Sequence, residues 1–109
     1  MRRAQIYYRD IPAGILMEDE NGYTFRYYKK YIEDSNPPVS LTLPINTEEY
    51  KSITLFPFFD GLIPEGWLLD IAEKTWKLNP RDRMGLLLAC CSDCIGAVSV
   101  RQLAEGDVE

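Results

Sequence analysis

Three cysteines are the first candidates for chemistry in this sequence, because Cys90, Cys91 and Cys94 fall within five positions. Cys91 and Cys94 form a C-x-x-C pair, a spacing used by zinc sites and by thiol–disulfide enzymes. A closed zinc site needs four ligands, but the chain has no histidine and no second cysteine pair. A redox C-x-x-C motif opens a helix after a strand, whereas this one follows the apolar run 84–89. We expect structural thiols and no cofactor, with a metal bridging two copies of the chain as a minor alternative.

The carboxylates do not form an obvious acid–base pair, although the chain has 17 of them. Residues 18–20 fall in a predicted turn and Asp82 at a predicted helix start, where solvation or helix capping explains an acidic side chain. The absence of histidine removes the commonest general base and the usual activator of a serine nucleophile. The glycine-containing stretch 61–66 lacks the Lys and Ser/Thr of a phosphate-binding loop. We therefore predict that the chain is not an enzyme.

Length and charge indicate one small domain over residues 1–109, with a charged tail from about residue 104. The net charge of −5 argues against direct binding to the phosphate backbone of nucleic acid. No apolar run approaches the roughly 20 residues of a membrane span, and no apolar segment follows the basic N-terminus. We expect a cytoplasmic protein with no membrane partner.

Hydrophobic patterning predicts an α+β fold built on a small antiparallel β-sheet or partial barrel. Four strands are predicted in the first half and one near the C-terminus, with about three helices between strands four and five. Residues 28–32 either extend the third strand or form a helical turn. The predicted strands cover 5–9, 13–18, 23–27, 39–44 and 96–101, with a hairpin turn at 19–22. The predicted helices cover 56–62, 65–78 and 80–89, the last with Asn79 as N-cap and Pro80 at its first position.

The predicted helix over 65–78 has one tryptophan on its apolar side and one outside it. A buried stripe is formed at helical spacing, whereas Trp67 lies roughly 120° from the middle of that stripe. Trp67 either packs under the aromatic segment 56–59 or the preceding loop, or serves as an interface anchor, since tryptophan is enriched in binding hot spots. The stripe is Leu68, Ile71, Ala72, Thr75 and Trp76. The predicted protein interface is Pro64, Glu65, Gly66, Trp67, Asp70 and Lys74.

Four short motifs occur in an order and spacing that resemble a known family. They are 38–44 (PVSLTLP), 58–66 (FFDGLIPEG), 86–87 (LL) and 93–97 (DCIGA). Together they resemble the N-terminal subdomain of HipA-type serine/threonine kinases, over roughly residues 5 to 101. Asp60-Gly61 and Cys91 depart from the family pattern, which often has asparagine and glycine at these places.

The resemblance implies a partner protein. In the family a kinase core follows this subdomain, and no residue of this chain matches a catalytic position, so kinase activity is not expected here. A free-standing copy resembles HipS, the small middle component of three-gene toxin–antitoxin systems. The resemblance therefore implies an antitoxin that inhibits a shortened HipA-like kinase, with the Pro-Glu-Gly-Trp segment near the kinase's active cleft. A HipB-like helix-turn-helix protein is the implied third member, and DNA would be contacted only through it.

Three other interpretations stay open from the sequence. The chain could be a non-catalytic subunit that a split HipA-like kinase requires. It could be a co-repressor acting with the HipB-like protein, or a gene remnant without a role.

Overall fold

The computed structural model describes residues 2–63, 82–90 and 97–103. Five strands and three helices are formed within these ranges. The strands are β1 (Arg2–Tyr8), β2 (Ile11–Asp19), β3 (Gly22–Tyr27), β4 (Tyr50–Ser52) and β5 (Val98–Leu103). The helices are α1 (Lys29–Glu33), α2 (Pro57–Asp60) and α3 (Arg83–Cys90). The predicted α+β class is confirmed.

The five strands form one antiparallel sheet in the order β4-β3-β2-β1-β5. The C-terminal strand β5 pairs with β1, and β4 lies at the opposite edge. The sheet described by these strands is therefore open and not closed into a barrel, so the predicted antiparallel sheet is right and the partial barrel is not formed. The hairpin turn predicted at 19–22 is confirmed between β2 and β3, where the backbone N–H of Asn21 donates to Asp19 at 2.8 Å.

The strand register divides the sheet into a core face and an outer face. Ala4, Leu16 and Phe25 stand in one cross-strand row of the core face and are fully buried. Next to them, Gly14 lies between Ile6 and Tyr27. A Cβ added at Gly14 would collide with the backbone of Arg26 and the ring of Phe25, so the close approach of β2 to β3 requires glycine here.

Helices α2 and α3 lie over the core face and supply its second layer. Phe59 of α2 is fully buried, and its ring centroid lies 5.4 Å from that of Phe25. From α3, Met84, Leu86 and Leu87 are buried to 1% exposure or less. Of the helices that the structure describes, the longest has eight residues, well below the roughly 20 that a bilayer span requires.

The strand predicted over 39–44 is wrong, because this segment forms a turn with a single bridge between Ser40 and Leu43. The hydroxyl of Ser40 contacts that of Thr42 at 2.9 Å and accepts the Thr42 N–H at 3.2 Å. These local hydrogen bonds compete with strand pairing. The fourth strand is formed instead by residues 50–52, at a position the sequence did not indicate.

Tyr27 anchors this turn to the sheet. Its hydroxyl donates to the Leu43 carbonyl and accepts the Val39 N–H at 3.0 Å. Burial raises the pKa of Tyr27 to about 12. As a result Val39 and Leu43 are buried, while Leu41 between them is 96% exposed.

Two helix boundaries were left open or misplaced by the sequence. Residues 29–33 form helix α1, which settles the ambiguity over 28–32. Helix α3 begins at Arg83, whereas the prediction placed its start at Pro80. Asn79 and Pro80, the predicted N-cap and first helical position, lie outside the described residues. Asp82 is not helical, and its carboxylate accepts the backbone N–H of Gly85 at 3.1 Å. This hydrogen bond is that of an N-cap residue. The sequence left solvation and helix capping open for Asp82, and the structure shows capping.

Candidate protein-interaction site

The predicted interface residues, Pro64, Glu65, Gly66, Trp67, Asp70 and Lys74, lie outside the described residues. The predicted helix over 65–78, with Trp76 in its stripe, lies outside them as well. The structure describes the chain on both sides of this segment, up to Ile63 and again from Asp82. These two sides determine where residues 64–81 join the fold.

The chain leads into the segment from a well-packed aromatic helix. Pro57 occupies the first turn of α2, where a proline costs no hydrogen bond and fixes the backbone. Phe59 contacts Phe56 and Phe58 with ring centroids 6.2 and 5.2 Å apart. Ile63, the last described residue before the segment, is only 4% exposed. The segment therefore starts from the core and not from a surface loop.

On the returning side, a network of ion pairs centred on Arg2 binds Asp82. The Arg2 guanidinium donates two hydrogen bonds to the Asp82 carboxylate, at 2.8 and 2.6 Å. Its Nε donates to Glu18 at 2.7 Å, and the Tyr23 hydroxyl donates to the other oxygen of Glu18 at 3.2 Å. We call these four residues the Arg2 network. It connects the start of α3 to β1, β2 and β3.

The Arg2 network shifts the pKa values of three of its members. The hydrogen bond from Arg2 lowers the pKa of Asp82 below its usual range, and the same bond raises the pKa of Arg2. Burial, together with the charge of Glu18, raises the pKa of Tyr23. Asp82 is therefore a carboxylate at neutral pH, and this charge strengthens its hydrogen bonds to Arg2 and to the helix N-terminus.

An ion pair also connects the two sides directly. The Arg83 Nε donates to the Asp60 carboxylate at 2.5 Å, joining the end of α2 to the start of α3. Both side chains are partly exposed, at 33% and 41%. The side chains of residues 60 and 83 are therefore in contact, so the described chain before and after residues 64–81 meets at this ion pair. Such a base limits the positions that residues 64–81 can occupy, whatever their own conformation.

Sequence reasoning missed Arg2, Arg83 and Gly85 as parts of this base. Arg2 and Asp82 are 80 positions apart, and no local pattern reports such a pair. A Cβ added at Gly85 would collide with the Asp82 carboxylate and approach the Arg2 guanidinium, so glycine makes room for the ion pair. The glycine at position 85, three residues after Asp82, was the only sign in the sequence that another side chain approaches the start of α3 closely.

The cysteines give no further site in the part of the chain that the structure describes. Cys90 ends helix α3, while Cys91 and Cys94 lie outside that part. Among residues 2–63, 82–90 and 97–103, no group of three or more His, Cys, Asp or Glu side chains could bind a metal ion. The expectation of structural thiols stays a prediction.

Comparison with known proteins identifies the fold. The profile of the HipA N-terminal domain family matches residues 4–101. A solved structure described as the N-terminal domain of HipA toxin superimposes with a TM-score of 0.78 at 30% sequence identity, covering 96% of this chain and 95% of that one. The similarity is thus to the non-catalytic N-terminal domain of HipA.

Two relatives differ in length. An uncharacterised protein of Haemophilus influenzae is 35% identical over 89 residues, which is 82% of this chain and 81% of the relative. A putative kinase of Sinorhizobium fredii, Y4mE, is 28% identical over 90 residues, which is 81% of this chain but only 21% of that kinase. The domain therefore matches a protein of similar size as well as a small part of a much longer one.

These similarities support a HipA-related toxin–antitoxin role and a HipA-type partner in general. The family match covers residues 4–101, nearly the whole chain, and the superposition covers 96% of it. The chain belongs to the HipA N-terminal domain family.

Proposed function

We propose that this chain is an antitoxin that binds a shortened HipA-like serine/threonine kinase and inhibits it, without catalytic activity of its own. The observation that carries the proposal is the match of residues 4–101 to the N-terminal domain of a toxin family. If the kinase lacks an N-terminal domain of its own, this chain can bind where that domain would otherwise pack. A HipB-like protein would complete the complex and make its DNA contacts, in keeping with the net charge of −5 on this chain.

The inhibitory contact in this proposal is the segment Pro64, Glu65, Gly66 and Trp67, with Asp70 and Lys74 beside it. The base formed by Ile63, the Asp60–Arg83 ion pair and Asp82 supports it, because a segment with anchored ends loses less conformational entropy on binding. Tryptophan is a favoured anchor residue, since it buries a large area with few rotatable bonds.

Truncation of Trp67 tests the proposal. We expect Trp67→Ala to weaken kinase binding at least about 30-fold, the loss typical of a hot-spot residue. Leu41→Ala is the matched control, because Leu41 is an apolar residue 96% exposed on a different segment. Binding would be measured by calorimetry, and inhibition by autophosphorylation of the kinase. Equal inhibition by Trp67→Ala and the wild-type chain would show that Trp67 is not the anchor.

A second candidate function is a non-catalytic subunit that completes a split kinase. The match to 21% of the putative kinase Y4mE favours it, because there the same domain is part of one long chain. The autophosphorylation assay separates the two functions. Suppression of the kinase by the added chain supports the antitoxin, and stimulation supports the subunit.

A further inference from the structure

A groove on the far side of the sheet from the Arg2 network has a charge opposite to that of the whole chain. It lies between α1 and the β1–β2 hairpin and has a volume of about 790 Å³. Its lining includes Ile11, Pro12, Arg26, Tyr28, Lys29 and Lys30, and we call it the α1 groove. It is separate from the base of residues 64–81, because α2 and α3 cover the other face.

The floor of the α1 groove is built by the outer face of the sheet. Gln5, Ile15 and Arg26 stand in one cross-strand row of that face. The Tyr28 hydroxyl donates to Gln5 at 2.9 Å, and Gln5 donates to the Tyr7 hydroxyl at 2.7 Å. Tyr28 is thus fixed in place with 9% exposure. The groove has a preformed floor that does not need to rearrange for a ligand.

The groove combines positive charge with an exposed apolar side chain. Lys29 and Lys30 line it together with Arg26, and Asp34 is the carboxylate among its lining residues in the described part of the chain. Both lysines are exposed, in a chain whose net charge is −5. Ile11, at 42% exposure, is one of only three large apolar side chains exposed among the residues that the structure describes.

We propose that the α1 groove binds an acidic segment of the partner kinase that carries an apolar side chain. The lysines would face its carboxylates, and Ile11 would contact its apolar group. This contact rests on the proposed function for the identity of the partner, but it is separate from the Trp67 segment. Positive charge on an acidic chain would also orient the two proteins on approach, because complementary patches increase the association rate.

A protein segment fits the groove better than a nucleic acid does. The cations that line the groove are few for a polyanion, and the chain as a whole carries a net charge of −5. Nucleic acid binding also uses stacking or phosphate contacts repeated along a strand, whereas the described cations of this groove are only Arg26, Lys29 and Lys30.

Charge reversal of the two lysines tests the proposal in the full chain. We expect Lys29→Glu/Lys30→Glu to weaken kinase binding about ten-fold at 50 mM salt, mostly through slower association. The loss should shrink below about three-fold at 1 M salt, where charges more than about 3 Å apart are screened. Lys51→Glu is the matched control, since Lys51 is an exposed lysine on β4, and we expect a change within about two-fold.

The apolar part of the groove has its own pair of variants. Ile11→Ser should weaken binding about five-fold at both salt concentrations, because burial of an apolar group does not depend on ionic strength. Ile53→Ser is its control, since Ile53 is 86% exposed outside the groove. Circular dichroism melts would show that each variant is folded.

The outcomes distinguish this inference from the proposed function. If the lysine double variant bound the kinase with wild-type affinity at 50 mM salt, the proposed binding by the α1 groove would be wrong. If Trp67→Ala lost inhibition in the same experiments, the proposed antitoxin function would still be supported. Weaker binding by the lysine double variant, together with wild-type inhibition by Trp67→Ala, would support binding by the α1 groove and reject the Trp67 contact. A labelled single-stranded 20-mer that binds the wild-type chain but not the lysine double variant, with kinase binding unchanged, would overturn the protein ligand in favour of nucleic acid.

Discussion

Asp82 has two roles at the scale of a single residue, because its carboxylate caps helix α3 and accepts two hydrogen bonds from Arg2. We expect Asp82→Ala to lower the free energy of unfolding by about 2 kcal/mol at pH 7, from the lost cap and the partly exposed ion pair. Asp82→Asn keeps a capping oxygen and should cost about 1 kcal/mol. Urea denaturation measures both values, and Asp19→Asn in the exposed hairpin turn is the control.

The same carboxylate predicts a dependence on pH. Since Arg2 lowers the pKa of Asp82 in the folded protein, its stabilisation is present above the ordinary value of 3.8 and is lost as pH falls below it. The difference in unfolding free energy between the wild-type chain and Asp82→Asn should therefore be constant from pH 7 to 5 and shrink towards pH 3. A difference that stays constant down to pH 3 would show that the Asp82 charge does not stabilise the fold.

One side chain of strand β3 holds a whole neighbouring element in place, because the Tyr27 hydroxyl attaches the turn 39–43 to the sheet. Removing it in Tyr27→Phe leaves the buried Val39 N–H and Leu43 carbonyl without this partner. We expect a loss of about 1–3 kcal/mol in the free energy of unfolding, and faster hydrogen exchange of the Val39 amide. Tyr50→Phe is the control, because its hydroxyl donates to Pro44 in an exposed setting, and it should cost less than about 1 kcal/mol.

The alternating pattern of residues 39–44 predicts a strand, but the segment forms a turn. Val39, Leu41 and Leu43 alternate with hydroxyl residues, which is typical of a half-buried strand. The Ser40 and Thr42 hydroxyls form a local turn instead, and Tyr27 satisfies the backbone that a neighbouring strand would have bonded. The hairpin turn at 19–22, by contrast, was predicted correctly because Asn-Gly favours such a turn by its own backbone preferences.

In the molecule as a whole, the Asp60–Arg83 ion pair connects the end of α2 to the start of α3, on either side of residues 64–81. Each single variant, Asp60→Asn or Arg83→Gln, should cost less than about 1 kcal/mol in stability, because the pair is partly exposed. If the proposed inhibitory segment depends on its base, each should also weaken kinase inhibition about three- to ten-fold. The autophosphorylation assay would give both inhibition constants.

The exchange variant Asp60→Arg/Arg83→Asp is the control for this prediction, since it restores an ion pair with the charges reversed. We expect it to recover most of the inhibition lost in the single variants. Inhibition as weak as in the single variants, in a chain with wild-type stability, would show that the pair does not act by positioning residues 64–81.

By itself, the sequence determined the fold class, the hairpin turn and the family resemblance, because each depends on neighbouring residues or on motif order. Only the tertiary structure decided that residues 50–52 form the fourth strand, that α3 starts at Arg83, and that Arg2 binds Asp82. The physical reason is that a strand needs a partner edge and an ion pair needs two side chains in contact. Those partners are distant in the chain, so their pairing exists only once the sheet and helices have packed.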